Sequence, residues 1–210
     1  MLKIGVTGGI GAGKSVICRV FQTLGVPVYN ADTRAQLIMD EDEGVRHLLL
    51  RAFGKGVFKG GRPDRKALAS LVFGNNRALE TINGIVHPAV RSDFVTWLEK
   101  NSGTSYIVKE AAILFETGAW KELDGTILVT APVHVRTERI IKRDGITPGE
   151  VRRRMESQWP DERKKPLAGM VIVNDDIKPV LPVVLELHYE LSRGILPEVF
   201  AGKGRPGHEA

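Results

Sequence analysis

The chain has 210 residues, 42% apolar and 26% charged, with a net charge of +5, a globular profile with enough chain to bury a core, which excludes a disordered or fibrous protein. Its lone cysteine, Cys18, excludes an intrachain disulfide and fits a reducing cytoplasm. No apolar run reaches the ~20 residues that span a bilayer, and the opening "MLKIGVTGG" has no signal-peptide layout, so a cytoplasmic protein working away from membranes is expected.

The first element is the apolar strand pattern "LKIGVTG". It runs into "GGIGAGKS", residues 8–15, which fits G-x-x-x-x-G-K-[ST]. A helix pattern follows from Lys14 to Leu24, with Gly25 as its stop. A strand before and a helix after are the context this phosphate-binding motif needs. Gly8, Gly9, Gly11 and Gly13 let the backbone fold back with N–H groups inward, a nest for anionic oxygens at a positive helix end. Lys14 can reach the outer phosphates of a nucleotide, and the Ser15 hydroxyl is a candidate Mg²⁺ ligand. Cys18, among Val16, Ile17 and Val20, reads as a small core residue rather than a reactive thiol.

The second strand pattern is "GVPVYNA", and Asp32 follows it. Strand C-termini line the ligand crevice of an α/β sheet, which makes Asp32 a candidate general base. It is also an excellent cap for a helix starting at Thr33, and the residues alone favour that reading. Residues 35–88 then break the strand–helix alternation and read as a helical insertion. In it, "DRKALASLVFG" is a helix with Asp64 as cap and Gly74 as stop, and "FGKGVFKGGR" is a small turn or hairpin. "HPAVR" ends it, with Pro88 at a helix N1 position and Arg91 on the first turn. His87 reads as a structural or binding residue, because no neighbour in sequence tunes it as a base.

The third strand pattern, "SYIVKEA", carries Glu110, a weak match to the acid that ATPase motors place after four apolar residues. "GTILVTA" is the fourth. Residues 136–165 follow, with ten Lys or Arg against six acids, and so hold +4 of the +5 net charge. Arg139 and Arg143, four apart, share a helix face and offer planar forks to phosphate oxygens, unless the face is simply solvated. "MVIVND" is the fifth strand. The stretch from Pro197, "PEVFAGKGRPGHEA", reads as a disordered tail. Near-continuous β-branched runs alternating with helices give a doubly wound parallel α/β layer.

The phosphate loop alone does not choose a class. Guanine switches carry N-K-x-D after a late strand, and this chain has "VNDD" at 173–176. A short core with a helical insertion and a basic segment is how small P-loop kinases are built. Nucleic-acid binding ranks low, because the basic stretch has little aromatic interleaving beyond Trp159.

At this point the residues resemble one family closely, the dephospho-coenzyme A kinases. "IGVTGGIGAGKS", "VPVYNAD", "INGIVHPAVR", "EAAILFETG", "RIIKRDGIT", "RRMESQ" and "VIVND" follow that family's order from about Lys3 to about Leu191. The resemblance implies a P-loop kinase-like three-layer α/β fold: a five-stranded parallel sheet, a helical acceptor-binding insertion and a basic lid. It assigns 1–34, 89–135 and 166–196 to the nucleotide-binding core, 35–88 to the acceptor insertion, 136–165 to the lid and 197–210 to the tail. It implies transfer of the ATP γ-phosphate to the ribose 3′-hydroxyl of dephospho-CoA with Mg²⁺. The loop, with Gly9, Gly11, Ala12, Gly13, Lys14, Ser15 and Val16, would bind ATP. Asp32 matches the family's proposed base, Arg139 its lid arginine, and Asn174 falls near its adenine pocket. His87 and Arg91 match the acceptor region, and Gln158 matches a lid-base glutamine with no assigned role. Where many members have Asp-Ala-Asp, this chain has Asn30-Ala31-Asp32, and where the late motif has glycine it has Asp176. Another small-molecule P-loop kinase, or a nucleotide-dependent switch without acceptor chemistry, are the alternatives.

Overall fold

The computed structural model describes residues 1–72 and 74–200. In chain order the strands are β1 (Leu2–Thr7), β2 (Val28–Asn30), β3 (Phe58–Lys59), β4 (Arg62–Pro63), β5 (Tyr106–Glu110), β6 (Gly125–Thr130) and β7 (Met170–Val173). The α-helices are α1 (Lys14–Thr23), α2 (Ala31–Glu41), α3 (Glu43–Phe53), α4 (Arg65–Val72), α5 (Asn76–Lys100), α6 (Val133–Asp144), α7 (Pro148–Glu156), α8 (Asp161–Lys164) and α9 (Leu181–Ser192). The chain forms two compact units, one of Met1–Tyr29 with the chain from Asn101 on, the other of Asn30–Lys100.

The first unit is built on a five-stranded parallel sheet in the order β2-β5-β1-β6-β7. All five expected strands are present. β5 and β6 are buried along their whole length, which is why they read as continuous apolar runs rather than alternating ones. Val6 of β1 stands opposite Glu110 of β5 on one side and Ile127 of β6 on the other. Ile17 and Phe21 of α1 and Val184, Leu187 and Leu191 of α9 join Ile4, Val6, Ile127 and Val129 in the main core. Phe115, Leu128 and Ala168 form a second cluster, covered by Trp120 and Trp159. Helix α1 stops as expected: Gly25 N–H bonds the Gln22 carbonyl and Val26 N–H bonds that of Phe21, each at 3.0 Å, the paired bonds of a Schellman end. Residues 136–165 cluster with this unit.

The tail expectation fails for its first residues. Glu198–Phe200 form a 3-10 turn, and Phe200 is fully buried in the main core. The sheet is cut to receive it: a Cβ on Gly125 or Gly169 would lie 2.8 or 2.5 Å from its ring. Residues 201–210 of the expected tail lie outside the described residues.

The second unit packs α2, α3 and α4 on α5. Ile38, Val45 and Leu49 form its core with Phe53, Phe58, Ile82 and Ile85 around them. Asp64 caps α4 through the N–H groups of Lys66 and Ala67, as expected. The Gly-rich stretch is a hairpin, β3 paired antiparallel with β4. Pro88 corrects the sequence reading. It lies inside the 25-residue α5, not at a helix start, so the helix runs on to Lys100 and the unit extends past residue 88. A proline there removes one helical N–H and crowds the carbonyl four residues back, which belongs to Gly84.

Phe200→Ala should destabilise the protein by about 3–5 kcal/mol, the usual cost of emptying a buried aromatic site. Urea unfolding checks this, and an unchanged midpoint would show that the ring carries no packing energy.

Candidate active site

The loop between β1 and α1 is held from outside by side chains. Lys14 Nζ donates to the Gly8 carbonyl at 2.9 Å and lies 3.5 Å from that of Gly9. Arg136 Nε donates to the Ile10 carbonyl at 2.9 Å. Arg139 Nη1 donates to that of Gly11 at 3.3 Å, and Asn174 Nδ2 to that of Ala12 at 3.0 Å. The carbonyls of residues 8–12 are therefore each tied to a side chain, those of Ile10, Gly11 and Ala12 to groups from beyond the loop and those of Gly8 and Gly9 to Lys14 of the loop itself. The Ile10 N–H is also tied, donating to Gln158 Oε1 at 2.8 Å.

These approaches need residues without Cβ atoms. A Cβ on Gly8 would stand 2.2 Å from the Val129 carbonyl oxygen, and one on Gly13 2.0 Å from Asn174 Nδ2, where the backbone also has φ 94°. Gly13 is the N-cap of α1, so no side chain caps that helix. In α2, α3 and α7 the side chains of Asn30, Asp42 and Thr147 do that work. The positive end of α1 is thus left without a side-chain cap and suits an anion, although its Val16 N–H already bonds the Gly13 carbonyl at 3.0 Å. Ser15 and Val16 stand exposed on that turn, and Ala12 is buried beneath the loop.

Glu110 is buried at the C-terminal end of β5. Burial, with the Glu110 carboxylate beside it, pushes the Cys18 thiol well above its ordinary range, so Cys18 is an inert core residue, as expected. Arg139 also donates to the Asn174 carbonyl at 3.0 Å and to Asp176 Oδ1 at 2.6 Å. Arg143 does not join it. On the last turn of α6 its Nε bonds Asp144 Oδ1 at 2.7 Å, and Arg154 shares that carboxylate.

In the second unit, the cap of α2 is Asn30, whose side chain accepts from the Thr33 N–H at 2.8 Å. Asp32 lies in the first turn instead, so the capping reading of Asp32 falls. Arg34 of α2 holds Asp93 of α5 with two nitrogens, its Nε at 2.9 Å. His87 and Arg91 lie four apart on α5 and share a face. Partial desolvation lowers the His87 imidazole below its ordinary 6.5, which keeps it neutral at pH 7.

A sequence model of the dephospho-CoA kinase family matches residues 2–179. The chain belongs to the dephospho-CoA kinase family. It is accordingly an ATP-dependent phosphotransferase of the final step of coenzyme A synthesis. The dephospho-CoA kinase of Bacteroides fragilis is 38% identical over 186 residues, covering 89% of this chain and 91% of that protein. That of Porphyromonas gingivalis is 41% identical over 168 residues, covering 80% and 81%. Among solved structures, TT1252 from Thermus thermophilus superposes with a TM-score of 0.78 at 35% identity, over 88% of this chain and 96% of that one. The dephospho-CoA kinase of Campylobacter jejuni gives 0.67 at 26%, over 91% and 98%.

The site also holds contacts that the sequence alone did not disclose. Arg136 is buried and bridges the Ile10 carbonyl to Asp161 Oδ2, 3.4 Å away. Its spacing of three from Arg139 marked one helix face as well as the spacing of Arg143 did, and Asp144 next to Arg143 was the signal against the latter. Asn174, expected near an adenine pocket, braces the loop backbone. Beneath lies a buried ion pair: Lys164 Nζ is 2.9 Å from Glu116 Oε1, off the direction of a hydrogen bond. Glu116 Oε1 also accepts from the Trp159 N–H at 3.1 Å, while Oε2 is buried without a hydrogen-bond partner among the described residues.

Lys164→Met should therefore cost about 3–5 kcal/mol, because it leaves the Glu116 carboxylate buried and uncompensated. Denaturant unfolding tests this. The double variant with Glu116→Gln should recover part of the loss, and no recovery would show that the charges are not coupled.

Proposed function

We propose that the first unit binds ATP on the loop of residues 8–15 and that the second unit binds dephospho-CoA. The single observation that supports this most is the tying of the Ile10, Gly11 and Ala12 carbonyls to side chains from beyond the loop, at the start of an uncapped α1. Backbone amides of Gly9, Gly11 and Gly13, with Lys14 and the first-turn amide of Ser15, would hold the β- and γ-phosphates, while Ala12 and Val16, whose N–H groups bond the Gly9 and Gly13 carbonyls, would line the loop. Lys14 would exchange its carbonyl partners for phosphate oxygens. Arg139 would neutralise charge on the transferring group, as a planar donor fork does in phosphoryl transfer.

Mg²⁺ fits the residues present. Ser15 offers an exposed hydroxyl, Glu110 a buried carboxylate at the adjoining strand end, and both are hard oxygen donors. Among the described residues no cluster of three or more His, Cys, Asp or Glu forms a metal cage, which suits an ion that is carried in on nucleotide phosphates. When bound, the ion would neutralise phosphate charge.

Asp32 would orient the ribose 3′-hydroxyl and accept its proton as the oxygen attacks the γ-phosphorus. The bond to the ADP oxygen breaks as the new one forms, and ADP leaves. His87, neutral, and Arg91 would line or support the acceptor site on one face of α5. Within residues 136–165 the lid would be the part between α6 and Gln158, since α6 and residues 158–164 brace the loop. No described helix is long and apolar enough to cross a membrane, and a cytoplasmic setting suits both substrates.

The test is ADP release from ATP·Mg²⁺ with and without dephospho-CoA, beside adenosine, AMP, shikimate and pantothenate. Stimulation by dephospho-CoA alone is expected. Stimulation by a different acceptor would keep a kinase and discard this substrate, and none at all, with nucleotide still bound, would favour a switch. Asp32→Asn should lower kcat by about 10²-fold or more, the usual contribution of a positioned acid–base group, while leaving ADP affinity unchanged. Full activity in that variant would remove Asp32 from the base role.

A further inference from the structure

We propose that Gln158 is a positioning residue of the phosphate-binding loop, clamping Ile10 jointly with Arg136. Gln158 Oε1 accepts the Ile10 N–H at 2.8 Å, and Arg136 Nε donates to the Ile10 carbonyl at 2.9 Å. The first contact orients the peptide plane before the Ile10 Cα and the second the plane after it. Two fixed planes around one Cα fix its φ and ψ, the only soft backbone torsions it has. Ile10 sits mid-loop, between the glycines at 9 and 11, where the chain has least stiffness of its own.

The clamp is itself anchored. Gln158 N–H bonds the Met155 carbonyl at 3.1 Å, holding it to the end of α7. The next residue, Trp159, donates its N–H to Glu116 and packs on Phe115, Leu128 and Ala168. The Arg163 guanidinium stacks 3.4 Å over the Trp159 ring. Asp161 holds the far side of Arg136. Both jaws of the clamp thus lead into residues 158–164, a short stretch fixed to the sheet, so the loop tip inherits its rigidity. The effect on chemistry is indirect. Gln158 touches the loop, and the loop touches phosphate.

This rests on the loop holding nucleotide, as proposed above. The clamp can be read without any acceptor, through ADP·Mg²⁺ binding by titration calorimetry and exchange of the Ile10 amide. In Gln158→Leu the Ile10 amide should exchange faster and ADP affinity should fall roughly 3- to 10-fold, the range of one net hydrogen bond. The KM for ATP should rise by the same factor while that for dephospho-CoA and the thermal midpoint stay put. Gln158→Glu, which keeps an acceptor oxygen at that reach, should keep the Ile10 amide protected. The proposal is overturned by unchanged ADP affinity in Gln158→Leu, by equal loss of protection in both variants, or by an affinity loss that merely follows a lowered midpoint. A wild-type protein that binds ADP but ignores dephospho-CoA would defeat the acceptor assignment and leave the clamp standing.

Discussion

A backbone can cradle phosphate only if its carbonyl oxygens are held in place, and here four side chains hold them. Lys14, Arg136, Arg139 and Asn174 take the carbonyls of residues 8–12 among them. An anion nest made of glycine alone would be floppy, since glycine restricts φ and ψ least. The ties restrict that freedom. They also explain the topology. Arg136 and Arg139 stand on α6, which follows β6, and Asn174 directly follows β7. In the sheet order β1-β6-β7 those two strand ends are the neighbours on one side of the loop. The parallel sheet is thus the frame that delivers loop-bracing groups from far along the chain to one edge.

What the sequence disclosed and what it hid follow from range. The strands were legible because β5 and β6 are buried on both faces, which leaves continuous apolar runs. The loop was legible because its function needs glycines, lysine and serine at fixed spacing. The loop contacts of Arg136, Gln158 and Asn174 were not, because their partners lie 126, 148 and 162 positions away and no local period records them. Pro88 misled for another reason. Proline marks a boundary only when nothing else holds the helix, and α5 is held along its length by α2, α3 and α4. Phe200 was hidden in a Gly- and Pro-rich stretch, where one apolar residue leaves no pattern; only the glycine at 125 and the glycine at 169, cut away for its ring, record it.

The second unit shows how a small departure from a family pattern redistributes work. Asn30 takes the N-cap of α2 with an uncharged side chain, accepting from Thr33. An amide caps about as well as a carboxylate. It leaves Asp32, in the first turn, as the acid beside the positive end of α2.

Asp176 is the other departure, and its energetics bear on Arg139. It sits at φ 66°, in the left-handed region, where a residue with a Cβ costs roughly 1–2 kcal/mol. Its ion pair with Arg139 is short, at 2.6 Å, but Asp176 is 69% exposed, and an exposed pair returns only about 0–1 kcal/mol. The contact does not outweigh the strain, and of the three that Arg139 makes it is the solvent-exposed one. The other two, to the Gly11 and Asn174 carbonyls, are partly buried. In the proposed mechanism Arg139 must reach a phosphate without releasing the loop. Giving up Asp176 meets that demand: Nη1 stays on Gly11 and keeps the cradle shaped, while Nη2 exchanges one exposed carboxylate for the incoming phosphate.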